Sequence, residues 1–194
     1  MPPVEIHGYA HCPFAWRTRI TAAEKGVAFE YVAIDGEPLD PRVAHNPERR
    51  SPLFVDGDVR LTESMVIVHY IDEAYPGRAL QPTAARERAE MRLAMAQIGG
   101  RLEFNTAAGA VLDEVTHKKI AAGLAALEER LGSGALYLGG ETPSIADAMV
   151  WPFLAALEKR QSMNVGADRP RAFAYWTRVK ARPTYLETRP PWAR

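Results

Sequence analysis

The sequence predicts an α+β chain: a four-stranded mixed sheet with helices over residues 1–76, a linker at 77–83, and an all-helical part over 84–194. Three observations carry this. Short β-rich runs trade with helical stretches up to about residue 75, whereas everything after residue 83 reads as helix. The stretch "YPGRALQP", with Pro76, Gly77 and Pro82, punctuates the change. Finally, "PLFV", the dipeptide Asp56-Gly57 and "VRL" form a strong hairpin signal.

The elements follow in order. "VEIHGY" sets Val4 and Ile6 on one face of a strand. Trp16, Ile20 and Ala23 then recur at helical spacing, with Gly26 as a C-terminal stop. "FEYVAI" is rich in β-formers, and the hairpin follows it after a loop. "ESMVIVHYIDEAY" closes the first part as a helix with Met65, Val68, Ile71 and Tyr75 apolar. In the second part, "AARERAEMRLAMAQIGGRLEF" predicts a helix bent at Gly99-Gly100. "HKKIAAGLAALEERLG" places Ile120, Leu124, Leu127 and Leu131 on one stripe and stops at Gly132. "SIADAMVWPFLAALEKR" is apolar on nearly all sides and predicts a buried central helix. "RPRAFAYWTRVKARP" is a last amphipathic helix, and the proline-broken tail "TYLETRPPWAR" carries no assignment.

Composition narrows the function. Among 194 residues, 24 Lys and Arg balance 24 Asp and Glu, so the chain lacks the basic field of a nucleic-acid or anionic-membrane binder. "MPPVEIHGYA" has no secretory-signal pattern, and "AMVWPFLAAL" is too short to span a bilayer. The single cysteine excludes an internal disulfide and fits a reducing cytosol. The lack of C-x-x-C pairs argues against zinc, so no metal is expected.

Four segments could carry chemistry. Pro13 suits the first turn of a helix, which makes Cys12 its capping residue, beside unpaired N–H groups that favour a thiolate. A core residue remains the plain alternative for a lone cysteine. Pro52 precedes a strand, and a cis Ser51–Pro52 bond would turn the Ser51 backbone toward an extended, peptide-like ligand; Arg50 beside it could hold a carboxylate. Glu63 and Ser64 open a helix whose N–H groups and hydroxyl suit a carboxylate, with Glu63 able to pair an ammonium. Ordinary capping would explain them equally well. Ser144-x-x-Asp147 is a capping-box variant with a structural reading, worth about 0.5–2 kcal/mol.

Together these residues resemble the glutathione transferase superfamily over nearly the whole chain. Asn46-Pro47-Glu48-Arg49-Arg50-Ser51-Pro52 is similar to the family's Asn-Pro-x-Gly-Lys-Val-Pro segment, and Glu63-Ser64 and Ser144-x-x-Asp147 match its other motifs. Cys12-Pro13-Phe14 resembles the Omega-type and glutaredoxin-like members, which use cysteine where others use serine or tyrosine. The resemblance implies a thioredoxin-like first domain and a helical second domain. It further implies a cytoplasmic homodimer with glutathione as co-substrate, and no nucleic-acid or membrane partner. Ser51 and Pro52 would meet the cysteinyl part of glutathione, and Glu63 and Ser64 its γ-glutamyl end. Arg50 would approach the glycine carboxylate, Phe14 would join the contacts, and Cys12 would face the sulfur. Arg101, Phe104 and Asn105 would line a second-substrate pocket. The departures are Arg49 for the family glycine, Ser51 for valine, and Ala15, which closes a dithiol cycle. The implied activity is thiol transfer. Conjugation, isomerisation or dehalogenation of a small electrophile is one rival, and a non-catalytic interaction protein of the same fold is another.

Overall fold

The computed structural model describes residues 3–35 and 38–194. Backbone contacts divide the chain into two compact units, one running to Arg78 and joined by Thr188–Trp192, the other Ala79–Glu187.

The first unit is a thioredoxin-like four-stranded sheet in the order β2-β1-β3-β4. β1 (Val4–Gly8) runs parallel to β2 (Phe29–Ala33) and antiparallel to β3 (Leu53–Asp56), which pairs with β4 (Val59–Leu61). Two helices complete it: α1 (Pro13–Lys25) and α2 (Ser64–Ala74). Strand alternation sends Val4 and Ile6 into a core with Ala22, Phe54, Ile67 and Ile71. A buried Lys25–Asp72 ion pair of 2.8 Å joins α1 to α2. α1 stops where Gly26 takes φ 79°, a left-handed value that suits glycine. On the opposite sheet face Val32 and Ile34 pack with Val43, from a 3₁₀ turn at Pro41–His45.

The hairpin turn sits one residue later than its sequence signal. Asp56 pairs with Val59, so Gly57 and Asp58 are the central residues, with Gly57 at φ 60°. Asp56 is held in the strand because its carboxylate accepts from Tyr70 (2.9 Å) and Tyr75 (2.6 Å).

The second unit is helical: α3 (Ala85–Ala94), α4 (Gly100–Leu102), α5 (Glu114–Arg130), α6 (Ile145–Arg160), α7 (Pro170–Lys180) and α8 (Pro183–Thr188). The expected bend is a π-helical segment at Met95–Gly99, where a Cβ on Gly99 would lie 3.0 Å from the Met149 methyl carbon. The helix does not reach Phe104; it ends at Leu102 because Glu103 turns extended (φ −71°, ψ 119°). α5 begins earlier than its apolar stripe, since Asp113 accepts from the Thr116 N–H at 2.7 Å. Its 3₁₀ extension stops at Gly134 (φ 86°), not Gly132. All four stripe residues, Ile120, Leu124, Leu127 and Leu131, are buried. α6 is the core of this unit, with Ile145 to Leu157 buried without interruption. Among the described residues no helix is long and apolar enough to cross a membrane.

Candidate functional site

Cys12 sits where β1 hands over to α1. It occupies the N-cap with extended backbone (φ −74°, ψ 116°), and Pro13 takes the first helical turn, where a missing N–H costs nothing. The half-buried sulfur accepts from the Ala15 N–H at 3.5 Å and donates to the Ser51 carbonyl at 3.5 Å. The helix start therefore points its N–H groups and the positive end of its dipole at a thiol.

The turn before Cys12 is held from several sides. Tyr9 N–H donates to Ser51 Oγ (3.0 Å), Ala10 N–H to Asp35 (3.2 Å), and Trp192 Nε1 to the Ala10 carbonyl (3.3 Å). Tyr31 donates to the Gly8 carbonyl at 2.7 Å; burial pushes its hydroxyl up to about 12, although the Arg19 guanidinium stacked 4.2 Å over its ring opposes this. Gly8 itself leaves no room, since a Cβ there would lie 2.5 Å from Ala15 Cβ and 3.0 Å from Ser51 Oγ. Gly8→Ala is expected to destabilise the first unit by roughly 1–3 kcal/mol and to displace Cys12 from Ser51. Denaturant unfolding and the rate of Cys12 alkylation measure the two effects.

The segment after the 3₁₀ turn is closed by Asn46, which is buried: its Oδ1 accepts from Arg50 N–H and its Nδ2 donates to the Arg50 carbonyl, both at 2.8 Å. Arg49 takes the left-handed value φ 54° and its guanidinium donates to the Ile34 carbonyl at 2.6 Å. An arginine thus adopts a left-handed backbone that favours glycine, and a side-chain hydrogen bond helps to hold it. Arg50 points outward to Glu48 at 2.9 Å, and the Ser51–Pro52 bond is cis.

At the start of α2, Glu63 is exposed and strained, with φ 64° and ψ 100° and no side-chain capping bond. Ser64 beside it is buried, and Arg17 Nη1 donates to its hydroxyl at 3.4 Å.

Two comparisons decide what this arrangement belongs to. Residues 6–79 match the glutathione S-transferase N-terminal domain and residues 81–192 the glutathione S-transferase C-terminal domain. The chain is 30% identical to Arabidopsis thaliana glutathione S-transferase U28 over 191 residues, covering 92% of this chain and 84% of the relative. It belongs to the glutathione S-transferase family. Mouse glutathione S-transferase omega-1 is 25% identical over 181 residues, covering 87% of this chain and 72% of its own. The crystal structure of a Tau class glutathione S-transferase from mango, Mangifera indica, superposes with a TM-score of 0.77 at 25% identity, covering 98% of this chain and 94% of that one.

Within this transferase's first unit, Cys12 and Ser51 meet directly, while Ser64 is reached from α1 through Arg17. Sequence reasoning missed Arg17. It is almost wholly buried, lies 5.1 Å from the Phe14 ring centroid, and puts a positive charge behind the Ser64 hydroxyl. A charged residue next to Trp16, on the apolar side of a helix, was the available signal. Phe14 is itself partly exposed.

The remaining expected residues belong to the second unit. Arg101 is exposed at the end of α4, Phe104 packs on Phe153 with centroids 6.0 Å apart, and Asn105 Oδ1 accepts from the Ala107 N–H at 3.0 Å. Ser144 caps α6 by accepting from Ala146 N–H (3.2 Å), and Asp147 returns a bond from Ser144 N–H (2.8 Å). Asp147 also accepts from Leu138 N–H (2.8 Å), Gly139 N–H (3.1 Å), Ser144 Oγ (2.9 Å) and Tyr175 Oη (2.9 Å). Burial pushes its carboxyl upward against these bonds.

Proposed function

We propose that this glutathione S-transferase is a cysteine-type, Omega-like enzyme that transfers thiols through Cys12. The observation that carries this is the Cys12 sulfur at the start of α1, 3.5 Å from the Ser51 carbonyl. It lies beside the loop segment that, by family resemblance, meets the cysteinyl part of glutathione. The Cys12 thiolate attacks the glutathionyl sulfur of a mixed disulfide; the S–S bond breaks and the other half leaves as a thiolate, which takes a proton. A second glutathione thiolate then attacks the glutathionyl sulfur on Cys12, releasing oxidised glutathione and the Cys12 thiolate. No dithiol step is needed, in keeping with Ala15, whose side chain is buried against Gly8. In this reading Ser51 and Pro52 hold the cysteinyl part, Glu63 and Ser64 the γ-glutamyl end, and Arg50 and Phe14 border the rest. Arg101, Phe104 and Asn105 are assigned to a second-substrate pocket. The working unit is a cytosolic homodimer without nucleic-acid or membrane partners.

Intact mass after incubation with oxidised glutathione tests the reading: an adduct of one glutathionyl group on Cys12 is expected. Its absence would leave the two other readings, conjugation, isomerisation or dehalogenation of a small electrophile and a non-catalytic interaction protein of the same fold.

Ser64→Ala checks the glutathione site. It removes a hydrogen bond to a charged group, worth roughly 1.5–3 kcal/mol, so affinity for glutathione should fall about ten- to hundredfold. Unchanged affinity by titration calorimetry would move the γ-glutamyl end elsewhere.

A further inference from the structure

His7 stands in the middle of β1, wholly buried, on the sheet face opposite Val4 and Ile6. Strand alternation puts Glu5 on the same face, and its carboxylate is mostly buried too. His45 ends the 3₁₀ turn that covers this face through Val43. Glu5 Oε2 lies 2.8 Å from His7 Nε2 and 3.1 Å from His45 Nδ1. Among the described residues this is the one group of three histidine, cysteine or acidic ligand atoms that converges, all within 4.8 Å of one another.

We propose that Glu5, His7 and His45 form a binding site for one divalent transition-metal ion of the zinc class. Two imidazole nitrogens and one carboxylate oxygen are a zinc donor set, with the fourth position left to water. Bonds of about 2.0–2.1 Å in a tetrahedron place ligand atoms roughly 3.3 Å apart. The two observed separations from Oε2 need to open by only a few tenths of an ångström. His45 is half exposed, so a small ring rotation toward His7 meets solvent rather than packed side chains, and it leaves the open position on the solvent side.

The surroundings direct His7 and Glu5 at this site rather than elsewhere. His7 Nδ1 has no hydrogen-bond partner, so the polar contact of this buried ring is made through Nε2, toward the cluster. The carboxylate that flanks Glu5 on the neighbouring strand, Glu30, is paired with Arg42. When the ion enters, the protons between the imidazoles and Oε2 leave that space. Each imidazole would then ligate through the nitrogen that faces the cluster, Nε2 of His7 and Nδ1 of His45, with the ring proton on the other nitrogen. The ion would tie the sheet to the segment that begins at Asn46. Sequence reasoning looked for zinc only through cysteine, and 38 positions separate two histidines that the fold unites.

The test uses the full chain, with any affinity tag removed, and cobalt(II) as the probe with zinc(II) as competitor. The expected result is one ion per chain, seen as visible d–d absorption that zinc abolishes. Affinity should fall at least about tenfold in His45→Ala and in Glu5→Gln. His45 is half exposed, so its variant should keep native circular dichroism. Cys12→Ser should retain the metal, and zinc should raise the melting temperature of the wild type but not of His45→Ala. Three results overturn the proposal: no cobalt binding by the folded wild type, equal affinity in wild type and His45→Ala, or binding that disappears with Cys12→Ser.

Discussion

Cys12→Ser is expected to abolish both the mixed disulfide with glutathione and thiol transfer, while the melting temperature stays nearly unchanged. The two halves of this result have separate causes. A serine hydroxyl cannot form a disulfide, and no other cysteine stands anywhere in the chain to take over. The N-cap, by contrast, tolerates the change. Serine is among the preferred capping residues and would accept from the Ala15 N–H at least as well as sulfur does at 3.5 Å. Its hydroxyl could still donate to the Ser51 carbonyl. A weak conjugating activity on bound glutathione is expected to persist, and its rise in the variant would fit serine-type chemistry. The comparison requires three readings on one preparation: intact mass with oxidised glutathione, turnover of a small glutathionylated disulfide, and a thermal melt. Full thiol transfer in Cys12→Ser would remove the cysteine from the mechanism. A native thiol that alkylates only after unfolding would return it to the core.

Much of this was legible in the sequence because local chemistry decides it. Pro13 marks the helix start and so the position of Cys12, and period-two and period-3.6 patterns separate the sheet from the helices. What stayed hidden depends on tertiary closeness. The tail gave no signal because its prolines break every period. Yet Trp192 packs edge-on to Trp16 at 5.6 Å, and Thr188 accepts from the Trp16 indole at 3.1 Å. Arg17 behind Ser64 and His45 beside Glu5 are likewise unions of distant residues that no local pattern announces. The end of the helix at Leu102 was missed for the opposite reason. "RLEF" favours continuing the helix, but the backbone turns extended at Glu103, and Phe104 finds its contact on Phe153.

The Ser144–Asp147 motif shows how burial changes a magnitude that sequence alone sets too low. As a helix cap, loss of either residue should cost about 0.5–2 kcal/mol. Asp147 does more, since it accepts from three backbone N–H groups, at Leu138, Gly139 and Ser144, and from two hydroxyls, all at 3.1 Å or less. The hydroxyls have alternatives: Ser144 Oγ still accepts from Ala146 N–H, and Tyr175 Oη still accepts from the Trp151 indole at 2.8 Å. The two buried amides, at Leu138 and Ser144, have none, and each orphaned donor costs about 1–3 kcal/mol before relaxation, whereas the exposed Gly139 N–H can turn to water. Asp147→Ala is therefore expected to lose about 3–5 kcal/mol, lowering the melting temperature by roughly 6–20 °C for a chain of this size. Ser144→Ala, which removes the cap and one hydroxyl donor to Asp147 but leaves the backbone amides paired, should stay within the smaller range. Asp147→Asn should fall between them, because it keeps one acceptor oxygen but turns an amide group toward N–H donors. Denaturant unfolding of the three variants measures the order. Equal losses for Ser144→Ala and Asp147→Ala would reduce the motif to a cap and detach the 138–139 turn from it.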